Sequence, residues 1–295
     1  MDEPATAEAM LIEDGTVTAV GTRDEVLALA GIGVPVIDIG QNVAYPGFID
    51  AHAHWIGDRE NYDVHTPAAA MEAAVSRGWT SISEQWVDGG RLSELQSLAA
   101  SNALPLRVDS YLALNELRVG GYLGDWYSDR DPGPVGDFLR VKGVKIHLDS
   151  GSGGLLYWEP ADLTAVIGRA VDAGWQVSVH AVSTEAIEMV LDAFEAAIGP
   201  NGPNPLHHRI EHALQVTDRQ LARMVAMDLV PVIQLDGAPY DWVTWAATDG
   251  GGYINDMTAE NLHWLARWKD FLDAGLHVAT STDAPWFFPL GVTDG

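Results

Sequence analysis

The stretch Val43-Ala44-Tyr45-Pro46-Gly47-Phe48-Ile49-Asp50-Ala51-His52-Ala53-His54 opens an alternation of strands and helices that runs through the rest of the chain. Side chains alternate between the faces of a strand, so His52 and His54 point the same way, with Asp50 and Phe48 behind them. Two neutral imidazoles converging from one strand end form half of a transition-metal site. Taken alone, such a pair reads more readily as packed or surface histidines. The residues that decide between these readings lie further along.

Working outward, strand patterns occupy residues 44–51, 80–84, 106–112, 141–148, 176–181, 208–213, 230–234 and 278–282. Helical patterns at 68–77, 91–101, 160–173, 184–197, 218–227 and 259–274 separate most of them. Gly78, Gly143, Gly174 and Gly275 precede strands, as expected where a helix ends on a left-handed cap. Eight strands alternating with helices predict an α/β protein, a parallel (β/α)8 TIM barrel. The crossover at 115–139, rich in Gly, Asp and Tyr, reads as a loop with a short helix. Upstream, residues 9–12 and 17–20 form strand-like runs joined at Glu13-Asp14-Gly15, a hairpin signal. A helix at 23–30 and a strand at 34–39 follow. The expected division is a small β-rich element at 1–42 and a barrel at 43–295.

Composition restricts the chemistry. No cysteine occurs among the 295 residues, so any metal must be held by nitrogen and oxygen. Against 42 acidic residues stand 16 basic ones, a net charge of -26 that disfavours nucleic acid and anionic membranes as partners. Adaptation to high salt and a generally acidic proteome account for this equally well. No run approaches the roughly 20 apolar residues of a membrane span. The start, Met1-Asp2-Glu3-Pro4, lacks a signal-peptide pattern, so a cytoplasmic location is expected.

Barrel strands turn alternate residues inward, and active sites gather at their C-terminal ends. In Val144-Lys145-Ile146-His147-Leu148-Asp149 the apolar residues must meet the helices, which directs Lys145, His147 and Asp149 into the barrel. A buried ammonium is costly unless paired or neutralised. In Gln176-Val177-Ser178-Val179-His180-Ala181 the valines face out and His180 faces in. In His208-Arg209-Ile210-Glu211-His212 the inward set reads as His208, Ile210 and His212. In Ala279-Thr280-Ser281-Thr282-Asp283, Asp283 shares a face with Ser281. Each polar residue alone fits a satisfied interior group. Five strand ends supplying His-x-His, Lys, His, His and Asp in that order point to a metal site.

These motifs, with Pro46-Gly47-Phe48-Ile49-Asp50-Ala51-His52-Ala53-His54 and Ser281-Thr282-Asp283-Ala284-Pro285, resemble the amidohydrolase superfamily. Within it, the resemblance is to amidohydrolase family 3, the YtcJ-like group that includes N-substituted formamide deformylases. The resemblance implies a metal-dependent hydrolase with one or two divalent ions, usually zinc. His52, His54 and Asp283 would bind the more buried ion and His180 and His212 the second, with Lys145 bridging them as a carbamate. It further implies cleavage of a C–N amide-type bond in an N-acyl or N-formyl amine, by metal-activated hydroxide with Asp283 as general acid and base. His147, Asp149, Arg209, Trp55 and Trp286 are candidates for supporting the ligands or contacting substrate, against a purely structural role. Trp55, Trp86, Tyr240, Trp242, Trp245, Trp286, Phe287 and Phe288 either line a pocket for an apolar acyl group or pack loops.

Two alternatives stand beside this reading. A zinc-dependent deaminase of the same superfamily often has glutamate three residues after the fifth-strand histidine, where this chain has Ser183 and reaches glutamate at Glu185. An inactive metal-binding remnant is the other. Relatives carry glycine where this chain has Ser150, a long insertion after the first barrel strand, and further strands that complete a β-sandwich with the N-terminal element. The chain is therefore expected to be truncated at both ends, with an incomplete sandwich. Its eighth strand would expose apolar surface, which favours homo-oligomers. The expected partner is otherwise a small-molecule substrate.

Overall fold

The computed structural model describes residues 6–62, 64–116, 121–150, 155–234 and 262–284. The chain divides into two compact units, residues 1–46 and 47–295. In the first, β1 (Ala9–Glu13) and β2 (Thr16–Gly21) form an antiparallel hairpin. The helix α1 (Arg23–Leu29) follows, opened by a capping box in which Thr22 and Glu25 satisfy each other's backbone donors. The strand expected at 34–39 does not form. Its residues find no ladder partner among the described residues, and Val36, Ile37 and Ile39 are exposed.

The second unit alternates β3 (Phe48–Ala53), α2 (Pro67–Val75), β4 (Trp79–Val87), α3 (Gly89–Ala100), β5 (Arg107–Ala113), β6 (Gly133–Pro134) and β7 (Leu139–His147). It continues with α4 (Pro160–Asp172), β8 (Gln176–Ala181), α5 (Thr184–Ile198), β9 (Arg209–His212), α6 (Asp218–Ala226), β10 (Val230–Gln234), α7 (Trp268–Asp273) and β11 (Ala279–Ser281). Eight strands form one parallel sheet in the order β3-β4-β5-β7-β8-β9-β10-β11. His54 N–H donates to Ala284 O at 2.7 Å, and Asp283 N–H donates to His52 O at 2.9 Å, which bridges the sheet's two ends into a barrel. Asp50 reinforces this seam by accepting from Thr282 N–H at 3.0 Å and the Thr282 hydroxyl at 2.6 Å.

The wall is held by an apolar layer between sheet and helices. Val144, Ile146 and Leu148 of the β7 segment and Val177 and Val179 of β8 share one buried apolar cluster with Leu163, Val166 and Ile167 of α4 and Ile187, Val190 and Phe194 of α5. Each such side chain, fully buried, contributes about 1.5–3 kcal/mol before entropy is counted. Gly174 follows α4 at φ +78, the left-handed exit its position predicts. Gly143 is different. It lies inside β7, where a Cβ would meet Gln176 O at 2.5 Å and the Tyr111 ring at 2.9 Å, so its absent side chain makes room for Tyr111.

Other expectations need correction. The first barrel strand begins at Phe48 and not at residue 44, with Pro46, which has no N–H to donate, just before it. Residues 115–139 hold no helix among those described, and Gly133–Pro134 instead adds a short antiparallel strand to β7. The helix expected at 259–274 is interrupted. A 3-10 turn at Leu262–Trp264 and α7 are separated by Ala266 at φ 51, whose N–H donates to Leu214 O at 2.8 Å. Residues 259–261 lie outside the described residues. Thr280 of the eighth strand is exposed but polar, and large exposed apolar side chains of this unit include Phe48 and Ile49 of β3. No helix among the described residues is long and apolar enough to cross a membrane.

Candidate metal centre

Registered pairs between parallel strands stack the barrel interior into layers. Lys145 lies beside Ser178, which lies beside Arg209; one step higher, His147 lies beside His180, which lies beside Glu211. Lys145, His147 and His180 therefore reach the interior by plain alternation. Lys145 is 1% exposed and its Nζ has no hydrogen-bond partner among the described residues. Burial foremost, with Arg209 nearby, draws its pKa down to about 8 against the pull of Glu211 and Asp283.

The β9 strand corrects the expected inward set. Arg209 and Glu211 face the interior, whereas His208 stacks on Phe194 of α5 and Ile210 joins the outer apolar layer. The apolar Ile210 must meet the helices, the same rule that placed Lys145 inward. His212 would then point outward with Ala181, its registered neighbour. Its backbone instead turns left-handed, φ 72, followed by Ala213 at φ 43. That turn carries the imidazole over the rim to ring-centroid distances of 4.4 Å from His180 and 5.0 Å from His52. Left-handed backbone in non-glycine residues costs about 1–2 kcal/mol and clusters at functional sites. Asp283 (φ 52) and Trp86 (φ 66) share it.

His52, His54 and Asp283 come together with ligand atoms all within 4.8 Å of one another. Asp283 Oδ1 lies 3.3 Å from His52 Nε2 and 3.4 Å from His54 Nε2. Burial opposes its ionisation, but the adjacent His52 and His54 outweigh burial and hold its carboxyl well below the usual range. His52 Nδ1 donates to Glu211 Oε2 at 2.6 Å, which leaves Nε2 with its lone pair free for a metal. His212 Nδ1 contacts Gln234 Oε1 at 2.9 Å with the same consequence. Burial keeps His212 neutral, with its pKa drawn down to about 4. Burial, then neighbouring His212 and Lys145, holds His180 well below its ordinary value. Neutral imidazoles are the ligand form.

The orphaned atoms test the fit to a cation. Lys145 Nζ, His147 Nδ1 and His180 Nε2 are buried without hydrogen bonds among the described residues, although such groups almost always find a partner. Asp149 Oδ1 lies 3.1 Å from His180 Nε2 without hydrogen-bonding geometry. An all-nitrogen-and-oxygen donor set with unspent lone pairs fits a divalent transition metal.

The remaining candidates separate by what they touch. Asp149 accepts Val182 N–H at 3.2 Å and Ser183 N–H at 2.8 Å, fixing the loop after His180. His147 stacks on Tyr157 at 5.3 Å and lies 4.2 Å from the His180 ring, with Trp86 edge-on at 5.8 Å. Trp55 is buried and donates Nε1–H to Asp50 Oδ2 at 3.1 Å, which braces the seam. Arg209 forks onto Glu211 at 2.6 and 2.9 Å and donates to Tyr111 at 2.9 Å. Trp286, Tyr240, Trp242, Trp245, Phe287 and Phe288 lie outside the described residues. Glu211, Gln234 and Asp50 were missed by the sequence reading. The signal for Glu211 was present, because an outward Ile210 forces its neighbours inward.

Comparison with known proteins places the chain in a family. The amidohydrolase family model Amidohydro_3 matches residues 62–290. The YtcJ protein of Bacillus subtilis (strain 168) is 31% identical over 157 residues, 52% of this chain and 25% of its own length. The N-substituted formamide deformylase of Arthrobacter pascens is 25% identical over 206 residues, 68% of this chain and 34% of its own length. The chain thus spans a quarter to a third of these curated relatives. A solved structure of an uncharacterized metal-dependent hydrolase from Pyrococcus horikoshii OT3 shares the fold at a TM-score of 0.61 and 24% identity, covering 74% of this chain and 44% of that one. With the family model matching well over half of its length, this chain belongs to the amidohydrolase family.

Proposed function

We propose that this hydrolase cleaves a C–N bond of the amide type in a small N-acyl or N-formyl amine, using one or two divalent ions, foremost zinc. His52, His54, Lys145, His180, His212 and Asp283 would hold them. The observation that carries the reading is the convergence of His52, His54 and Asp283 within 4.8 Å, beside two neutral imidazoles. The name of the Arthrobacter relative, an N-substituted formamide deformylase, supports the bond class.

When bound, the ions would supply Lewis acidity, lowering the pKa of a water and polarising the scissile carbonyl. Glu211 and Gln234 hold His52 and His212 with their Nε2 atoms presented. Asp283, ionised at the rim, takes the proton of the attacking water on a carboxylate oxygen and returns it to the leaving nitrogen, which departs as a neutral amine. Lys145, its pKa drawn down to about 8 by burial, reacts with carbon dioxide through its neutral fraction. A bond forms between Nζ and carbon, one C–O π bond becomes a carboxylate oxygen, and one Nζ proton leaves to solvent. The product is an anionic carbamate with two ligand oxygens. Trp86 and Tyr157, both against His147, offer an aromatic wall for an apolar acyl group.

Metal analysis paired with a substrate panel tests the reading. Purified protein should carry at least about half an equivalent of zinc, manganese or iron. It should hydrolyse N-acyl or N-formyl amines, lose activity on chelation and regain it with zinc. Ammonia release from aminated nucleobases alone would overturn it in favour of a deaminase. The deaminase position is occupied here by Ser183, which caps α5 by accepting Ala186 N–H. Metal content below that level would remove the basis of the enzyme reading.

A further inference from the structure

Two buried polar groups in the barrel's interior are left unspent beside one serine. Gln85 of β4 is fully buried, and one end of its amide reaches across the barrel to Ser178 Oγ at 3.0 Å. Among the described residues the other end has no partner, and neither does Lys145 Nζ, whose residue is the registered neighbour of Ser178.

The proton count around Ser178 decides which end of the amide is which. Glu211 Oε1 accepts Arg209 Nε–H at 2.6 Å, while its Oε2 accepts Arg209 Nη2–H at 2.9 Å and His52 Nδ1 at 2.6 Å. A carboxylate forked by an arginine in this way is ionised and has no proton to give. Ser178 Oγ lies 2.7 Å from Glu211 Oε1, so the single hydroxyl proton of Ser178 goes to Glu211. Nothing is left for Ser178 to donate to Gln85. The amide must donate to the serine, with Nε2 toward Oγ and the carbonyl oxygen at the unpartnered end. The oxygen and nitrogen of an amide are assigned by such networks and not by shape.

We infer that Gln85 is a positioning residue whose carbonyl oxygen, turned into the Lys145 layer by Ser178 and Glu211, accepts the N–H of the Lys145 carbamate and fixes how its two oxygens face the metal centre. A carbamate keeps one N–H on Nζ, and a buried N–H without an acceptor is costly. The Gln85 carbonyl would supply that acceptor. This rests on the carbamate reading given above, and the test separates the two.

The full chain, loaded with zinc in 13C-labelled bicarbonate, is examined by 13C NMR for the carbamate carbon. In parallel, the bicarbonate concentration giving half-maximal zinc content is measured. Wild type should show the carbamate signal. Gln85→Leu, close in volume and without polar atoms, should need about tenfold more bicarbonate and lose most of the signal. Gln85→Glu keeps the shape but sets an anion near Lys145. It should hold the lysine as an ammonium and abolish the signal, so the test survives a poorly folded leucine variant. If wild type shows the signal and both variants retain it with unchanged bicarbonate dependence, the role of Gln85 is overturned and the carbamate stands. If wild type shows no signal at saturating bicarbonate and zinc, the carbamate reading fails and takes the Gln85 role with it.

Discussion

The β7–β8 wall and the β9 rim supply the same centre in opposite ways. In β7 and β8 regular pleating delivers Lys145, His147 and His180, with valines and isoleucine alternating outward. In β9 regular pleating delivers Arg209 and Glu211, and His212 arrives only because its backbone turns left-handed at φ 72. The difference separates side chains placed by a periodic rule from one placed by local strain that the surroundings must sustain. Gln234 contributes to that support by contacting His212 Nδ1 at 2.9 Å.

The largest expected effect tests the pleated side. His180→Ala should cut turnover by on the order of a thousandfold or more and lower zinc content, while the thermal midpoint of the metal-free protein moves by only a few degrees. A variant that keeps both metal and turnover would remove His180 from the centre. Next comes the ion pair that β9 turns inward. Arg209 and Glu211 are 6% and 0% exposed. Glu211→Ala leaves an uncompensated buried guanidinium, and urea unfolding of the metal-free protein should show a loss of about 3–5 kcal/mol. A loss under about 1 kcal/mol would mean that solvent screens the pair and that β9 is less buried than its pleat requires.

The outward face of β9 gives a pH test of the same assignment. His208 Nδ1 accepts Val177 N–H at 3.0 Å, which requires a neutral ring, and burial followed by neighbouring His207 draws its pKa down to about 4. The unfolded chain titrates near 6.5 and so binds the proton first as pH falls. The contribution is therefore complete above about pH 6.5, declines between about 6.5 and 4, and is level below. It amounts to about 3 kcal/mol over that window. His208→Gln, which keeps an acceptor, should flatten this part of the stability profile; an unchanged slope would place the titration elsewhere. The smallest effect concerns the strained turn itself. Both His212→Ala and His212→Gly lose the ligand, yet the glycine form should be about 1 kcal/mol more stable, because only glycine adopts positive φ without cost. Equal stabilities would show that the site does not impose the left-handed turn.

Much of this was legible beforehand wherever a periodic rule applied. The eight strands, the inward Lys145 and the seam histidines follow from alternation and from apolar residues needing helices to cover them. His212 was reached by alternation from the wrong face of its strand, and the left-handed turn brings it to the centre all the same. Glu211, Gln234 and Asp50 were missed because each acts through a residue distant in sequence. Glu211 meets His52, Gln234 meets His212, and Asp50 meets Thr282.

The sequence by itself determined the barrel and most of the residues at its mouth, because strand periodicity and apolar patterning are local and survive without knowledge of neighbours. Only the tertiary structure decided which atoms are spent and which are left over. The left-handed turn at His212, the donors saturating Glu211 and the unpartnered ends of Lys145 and Gln85 depend on groups brought together from separate strands. Hydrogen-bond satisfaction inside a closed barrel is a property of all eight strands at once.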